Sequence, residues 1–225
     1  PTLLACLVGV FVLGNVLAVP VLIGPAFERA GRGGALPVTA LVAAMLATQL
    51  SIMAVLIWRI VRPAVLTWED MGLTIAHLDR RLLQGAVGGI LIFIVAGATG
   101  LLMRQLGVQQ TQAQMFEGVH GASPTQFLAF WLAAAVVAPI CEETFFRGYI
   151  FTALRGRYGR LLAYPLSALL FAAIHFNLPA LLPILVMALG LAFLYDRSGS
   201  VVPGIVAHGL NNSVALTLLY AGLPG

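Results

Sequence analysis

Residues 82–103 read LLQGAVGGILIFIVAGATGLLM, an uncharged run bounded by Arg81 and Arg104. At about 1.5 Å per residue it makes about 33 Å of helix, the thickness of a bilayer's hydrocarbon core. A helix satisfies its own backbone amides where no water can, so the run reads as a membrane span. Six more apolar runs accompany it, at 3–24, 36–58, 126–154, 161–176, 179–195 and 201–221. Of the seven, the fifth and sixth are short and are separated only by Asn177-Leu178-Pro179. Composition agrees, with 60% hydrophobic against 9% charged residues and a mean hydropathy of +1.00. Soluble domains carry about a quarter charged residues, so a soluble globule is excluded. The expected fold is all-α, a polytopic transmembrane helical bundle of about seven spans, with residues 1–225 forming a single integral-membrane domain in the lipid bilayer. The first run lacks a basic leading segment and reads as a true span, not a removable signal peptide.

All twelve basic residues are Arg, and the net charge of +4 is spread over short loops. No run is long enough to track a phosphate backbone, so nucleic acid is not an expected partner. Arg59, Arg62, Arg80, Arg81, Arg155, Arg157, Arg160 and Arg197 fall in loops on one side of the seven-span arrangement; Arg29, Arg32 and Arg104 fall on the other. The positive-inside rule then puts the N-terminus in the cytoplasm. The all-Arg composition and compact loops point to a bacterial plasma (inner) membrane. The polar stretch from Gln105 to Pro124, with Glu117 and His120, reads as a solvated or interfacial loop, with substrate gating as the alternative. Trp68 suits an interfacial anchor, and Cys6 and Cys141, both in apolar stretches, read as packing residues.

Ionisable groups inside a bilayer are expensive, which makes them functional candidates. They cluster in three spans here. The fourth carries Pro139-Ile140-Cys141-Glu142-Glu143-Thr144-Phe145-Phe146-Arg147, the fifth Phe171 to His175, the seventh His208-Gly209-Leu210-Asn211-Asn212. Residues four apart on a helix share a face, so Arg147 is expected to neutralise Glu143 while Glu142 points elsewhere without its own cation. A carboxylate left in that position suits a general base or acid. The plainer alternative is a Glu143–Arg147 staple with Glu142 merely tolerated. Either histidine alone would read as a packing residue; three spans offering polar groups at similar depth favour a site within the membrane. Pro139 is expected to free the carbonyl of Ala135 and kink the fourth span. A Cys141 nucleophile has no basic group placed to activate it.

These residues carry a resemblance to the CPBP intramembrane proteases, the group of CAAX prenyl endopeptidases of the Ras-converting type and bacteriocin-processing or Abi proteins. The family's Glu-Glu-x-x-x-Arg is matched by Glu142-Glu143-x-x-x-Arg147, its Phe-x-x-x-His by Phe171-x-x-x-His175, and its His-x-x-x-Asn by His208-x-x-x-Asn212. Each is weak alone; all three in order, each in an apolar span, are specific. The resemblance covers about 126–221, which would be the catalytic core.

It implies an intramembrane endopeptidase that hydrolyses a peptide bond in a membrane-associated peptide or protein by a glutamate-activated water. Glu142 would be the base, His175 would hold and polarise the water, and His208 with Asn212 would form the oxyanion site. Glu143, Arg147 and Phe171 would be supporting structure. No cofactor is expected; zinc through His175 and His208 is the alternative, disfavoured because Asn is a poor zinc ligand and the paired-His helix spacing of zinc proteases is missing. From other classes stand a non-proteolytic scaffold or bacteriocin-immunity protein of the same fold, and a proton-coupled transporter, against which the lack of an internal repeat weighs.

Overall fold

The computed structural model describes residues 3–14, 24, 36–108 and 117–223. The first run beyond Gly14, Arg29, Arg32 and the glutamines at 109–114 lie outside the described residues. All regular elements among the described residues are helical: α1 (Leu3–Phe11), α2 (Val38–Val61), α3 (Leu78–Gln105), α4 (Glu117–His120), α5 (Pro124–Tyr158), α6 (Arg160–Ala173), α7 (Leu181–Ser198) and α8 (Val202–Tyr220). Among them α2, α3, α5, α7 and α8 are long and apolar enough to cross a bilayer, while α6, at 14 residues, is shorter than a perpendicular crossing requires. The chain is an all-α polytopic membrane protein.

The helix boundaries have local causes. Ser123 accepts from Gln126 N–H while the Gln126 side chain accepts from Ser123 N–H, and Pro124 occupies the first helical position, where its missing donor costs nothing. α6 stops at Ala173, and Phe176 adopts a left-handed backbone (φ 48°). Asn177 Oδ1 then accepts from Ala180 N–H just ahead of α7. His175 therefore sits on the turn after α6, not inside a span continuing to residue 176 as the hydropathy reading had it.

The described residues form two compact units, one from 1–65, 112–142 and 212–225, the other from 66–111 and 143–211. The division falls inside α5, between Glu142 and Glu143, and inside α8, between Asn211 and Asn212. In the first unit α2 packs on α1 and on the early turns of α5. Its core gathers Leu36, Val38, Leu41, Val119 and Phe130, and the rings of Phe127 and Tyr220 stack with centroids 4.1 Å apart.

In the second unit α7 packs on both α3 and α6. α3 buries Gly85, Gly89 and Ile92, spaced for one helix face, and leaves Leu83, Val87, Ile90, Leu91 and Ile94 exposed, as suits a helix that crosses a bilayer. The glycines permit close backbone approach, since a Cβ at Gly85 would lie 2.6 Å from Val206 Cβ and one at Gly89 2.9 Å from Ala207 Cα. Asn211 seals this contact by donating from Nδ2 to the carbonyls of Gly89 (3.0 Å) and Ala207 (2.8 Å).

Candidate active site

Two stretches of α5 are wound as π-helix, Ala133–Val137 and Thr144–Phe151, and they flank the segment that carries Glu142 and Glu143. Such widened turns are common at functional sites. In the first, Ala138 N–H reaches back five residues to the Ala133 carbonyl. The next donor in that register would be Pro139, which has none, so the carbonyl left over belongs to Ala134. The α-helical reading of the sequence had freed Ala135 instead; the π turn shifts the vacancy by one residue. Asn212 fills it, donating from Nδ2 to Ala134 O at 2.7 Å. One of the two amide hydrogens of Asn212 is thereby committed; the other has no partner among the described residues.

The same unit holds Glu142, which is half-buried. Its Oε1 accepts from Gln49 Nε2 at 2.9 Å, across 93 residues of chain. Sequence reasoning passed over Gln49 because it screened apolar spans for ionisable groups and an amide carries no charge. A search of the apolar spans for amides as well as charges would have found it.

In the second unit Glu143, Arg147, Phe171, His175 and His208 form one connected cluster. Arg147 Nη1 donates to Glu143 Oε1 at 2.8 Å, the i, i+4 pair expected from helix geometry, and Nη2 donates to the carbonyl of Ala188 at 3.0 Å. His208 Nδ1 lies 3.0 Å from the same Glu143 Oε1, the imidazole donating to the carboxylate. Both members of the Arg147–Glu143 pair are fully buried, at 1% and 0% exposure, so each is viable only because the other neutralises it. Glu143 Oε2 has no hydrogen-bond partner among the described residues and lies against Gly204, where a Cβ would come within 2.9 Å.

The Phe171 ring is the floor of the cluster. The Arg147 guanidinium stacks over it at 4.5 Å, and its centroid is 4.9 Å from that of His175 and 5.7 Å from that of His208. His175 Nδ1 lies 2.8 Å from the Phe171 carbonyl, which can only accept. The proton therefore sits on Nδ1, and Nε2 is the nitrogen with a lone pair for chemistry. This division of the ring nitrogens follows from the Phe-x-x-x-His spacing, which puts the imidazole over the carbonyl one turn back.

Among the described residues no three His, Cys, Asp or Glu side chains are grouped as a metal site needs.

Residues 124–214 match the family described as Rce1-like, type II CAAX prenyl endopeptidase Rce1-like. The matched segment contains all three motifs. The chain is also 28% identical over 137 residues to a protein of Bacillus subtilis (strain 168) named "Putative membrane peptidase YdiL", covering 59% of this chain and 54% of the relative. It thus spans about half the length of the curated relative it matches. No solved structure matches.

Proposed function

We infer that this chain, a CPBP family protease by its matches over 124–214 and by the three motifs within them, hydrolyses a peptide bond in a membrane-associated peptide or protein. The observation that carries the mechanism is the unequal use of the two adjacent carboxylates. Glu143 is committed to Arg147 and His208, which makes it a structural keystone. Glu142 accepts from the amide of Gln49, a donor that carries no charge, and is the carboxylate we assign as the base.

In the reaction Glu142 removes a proton from water, and the hydroxide attacks the scissile carbonyl. His175 Nε2 accepts a hydrogen bond from that water and orients it. The oxyanion of the tetrahedral intermediate is met by the second amide hydrogen of Asn212 and by His208, which donates from Nε2 as the imidazolium because its Nδ1 proton is already given to Glu143; preorganised donors of this kind in a low-dielectric site stabilise the charge that develops in acyl transfer. The proton held by Glu142 then passes to the leaving amine, which balances the step.

We read residues 1–225 as one integral-membrane domain with 126–221 as its catalytic core, because α5 and α8 each contribute residues to both compact units. The Arg distribution supports a cytoplasmic N-terminus in a bacterial plasma membrane; labelling of single cysteines placed at Arg62 and at Arg104 tests it, with opposite accessibility expected.

Proteomic comparison of membranes carrying wild type and Glu142→Ala tests the function. An accumulated precursor in the variant, at normal expression, supports the peptidase. Unaltered biological function with no accumulated precursor sinks it and leaves the scaffold or immunity reading.

A further inference from the structure

We propose that Gln49 is the positioning residue for Glu142, so that the catalytic apparatus extends into the N-terminal half of the chain; this rests on the reading of Glu142 as the base. Gln49 lies at the midpoint of α2, outside the residues 124–214 that carry the family match. It is 4% exposed, and its Nε2 donates to Glu142 Oε1 at 2.9 Å within the same compact unit.

Three observations set this apart from an ordinary packed amide. The first is cost: Gln49 Oε1 is buried with no hydrogen-bond partner among the described residues. An orphaned carbonyl costs free energy that a Leu or Met of similar size would not incur, so packing alone does not account for an amide here. The second is the choice of donor. Glu143, one residue on, is held by a guanidinium, which neutralises it; Glu142 is held by an amide, a donor that fixes the carboxylate and brings no charge of its own. A base must be held still and yet remain able to accept a proton, and a neutral donor meets both needs.

The third is rigidity. Gln49 is flanked by the buried Ala47, Ser51 and Ile52, and Ser51 Oγ donates to the Ala47 carbonyl at 2.8 Å, so the donor projects from a packed stretch of helix. A carboxylate on α5 is thus pinned by a helix distant in sequence, and its side chain cannot swing away from the orientation that the hydrogen bond selects.

The test uses the full chain purified in detergent and the peptide whose processing depends on Glu142 in the membrane comparison. Gln49→Met keeps length and apolarity and removes the donor. The expected result is a fall in kcat of about 10- to 100-fold, the loss that misplacing a catalytic group by up to about 1 Å produces, with KM unchanged and the melting temperature not lowered. In the Glu142→Gln background the same change should leave the residual rate unaltered, because a residue that acts through Glu142 has nothing left to act on. Should Gln49→Met fail to fold, Gln49→Asn, which draws the amide back by one methylene, replaces it with the same expected loss. A kcat within about twofold of wild type, or a loss that multiplies onto that of Glu142→Gln, overturns the role of Gln49 and leaves the peptidase reading standing. Wild type that cleaves no better than Glu142→Gln overturns both.

Discussion

The Asn212 side chain donates to the Ala134 carbonyl at 2.7 Å, the position on α5 that a π turn and Pro139 together leave without a backbone donor. Asn212 therefore has a structural duty besides the oxyanion role proposed for it, and the two are separable. Asn212→Ala should lower stability by about 1–3 kcal/mol, the cost of orphaning a buried carbonyl, and turnover by about 10²- to 10³-fold. Adding Pro139→Ala restores an N–H in the register that ends at Ala134. The double variant should recover melting temperature in detergent and remain slow. Recovery of turnover along with stability would remove Asn212 from the oxyanion site.

Replacing Glu142 by Gln keeps volume and hydrogen bonding but cannot accept a proton. Proteolysis should fall by about 10²- to 10⁴-fold, leaving a small residual rate, while expression and melting stay at wild-type values. Residual activity above about a tenth of wild type would exclude Glu142 as the general base, given the contribution of about 10²- to 10⁴-fold usual for such a group.

Glu143→Gln should behave in the opposite way. It strips the counter-charge from Arg147, which is 1% exposed, and removes the carboxylate that His208 Nδ1 addresses. Breaking a buried pair on one side costs about 3–5 kcal/mol, so the variant should melt far below wild type or fail to accumulate. A fully stable but inactive Glu143→Gln would exchange the roles assigned to the two carboxylates.

Gly204→Ala probes the same keystone by volume. Its Cβ would stand 2.9 Å from Glu143 Oε2, and Glu143 cannot retreat without loosening its Oε1 from Arg147 and His208. A loss of about 1–3 kcal/mol is expected, the usual range for forced overpacking, read as a drop in thermal midpoint. An unchanged midpoint would mean that the Glu143 side chain can re-seat freely.

Metal dependence is decided by elemental content. Purified, active protein should hold no stoichiometric zinc, and activity after chelator treatment and its removal should equal the starting value. Zinc that tracks activity, lost from His175 and His208 variants and restored only to wild type, would displace the glutamate-and-water mechanism.

The apolar runs announce the helices because a bilayer leaves the backbone almost no other choice, and the order of α2, α3, α5, α7 and α8 follows from hydropathy with boundaries shifted by a few residues. The Arg147–Glu143 pair is equally legible, since a four-residue spacing on one helix is a local fact. What composition and spacing did not reach are the contacts made across long stretches of chain by groups with no charge. Gln49 meets Glu142 across 93 residues and Asn212 meets Ala134 across 78, and in each an amide or a main-chain carbonyl does the work. His208 reaches Glu143 across 65 residues, which assigns it a partner that its own motif does not name. The π turn that moves the orphaned carbonyl from Ala135 to Ala134, and the end of α6 at Ala173 ahead of His175 and the left-handed Phe176, leave no periodic trace in the sequence. Hydrophobicity and charge act through the solvent and so leave a periodic trace in the sequence; hydrogen bonds between neutral groups act only at contact, and tertiary structure alone decides which groups touch.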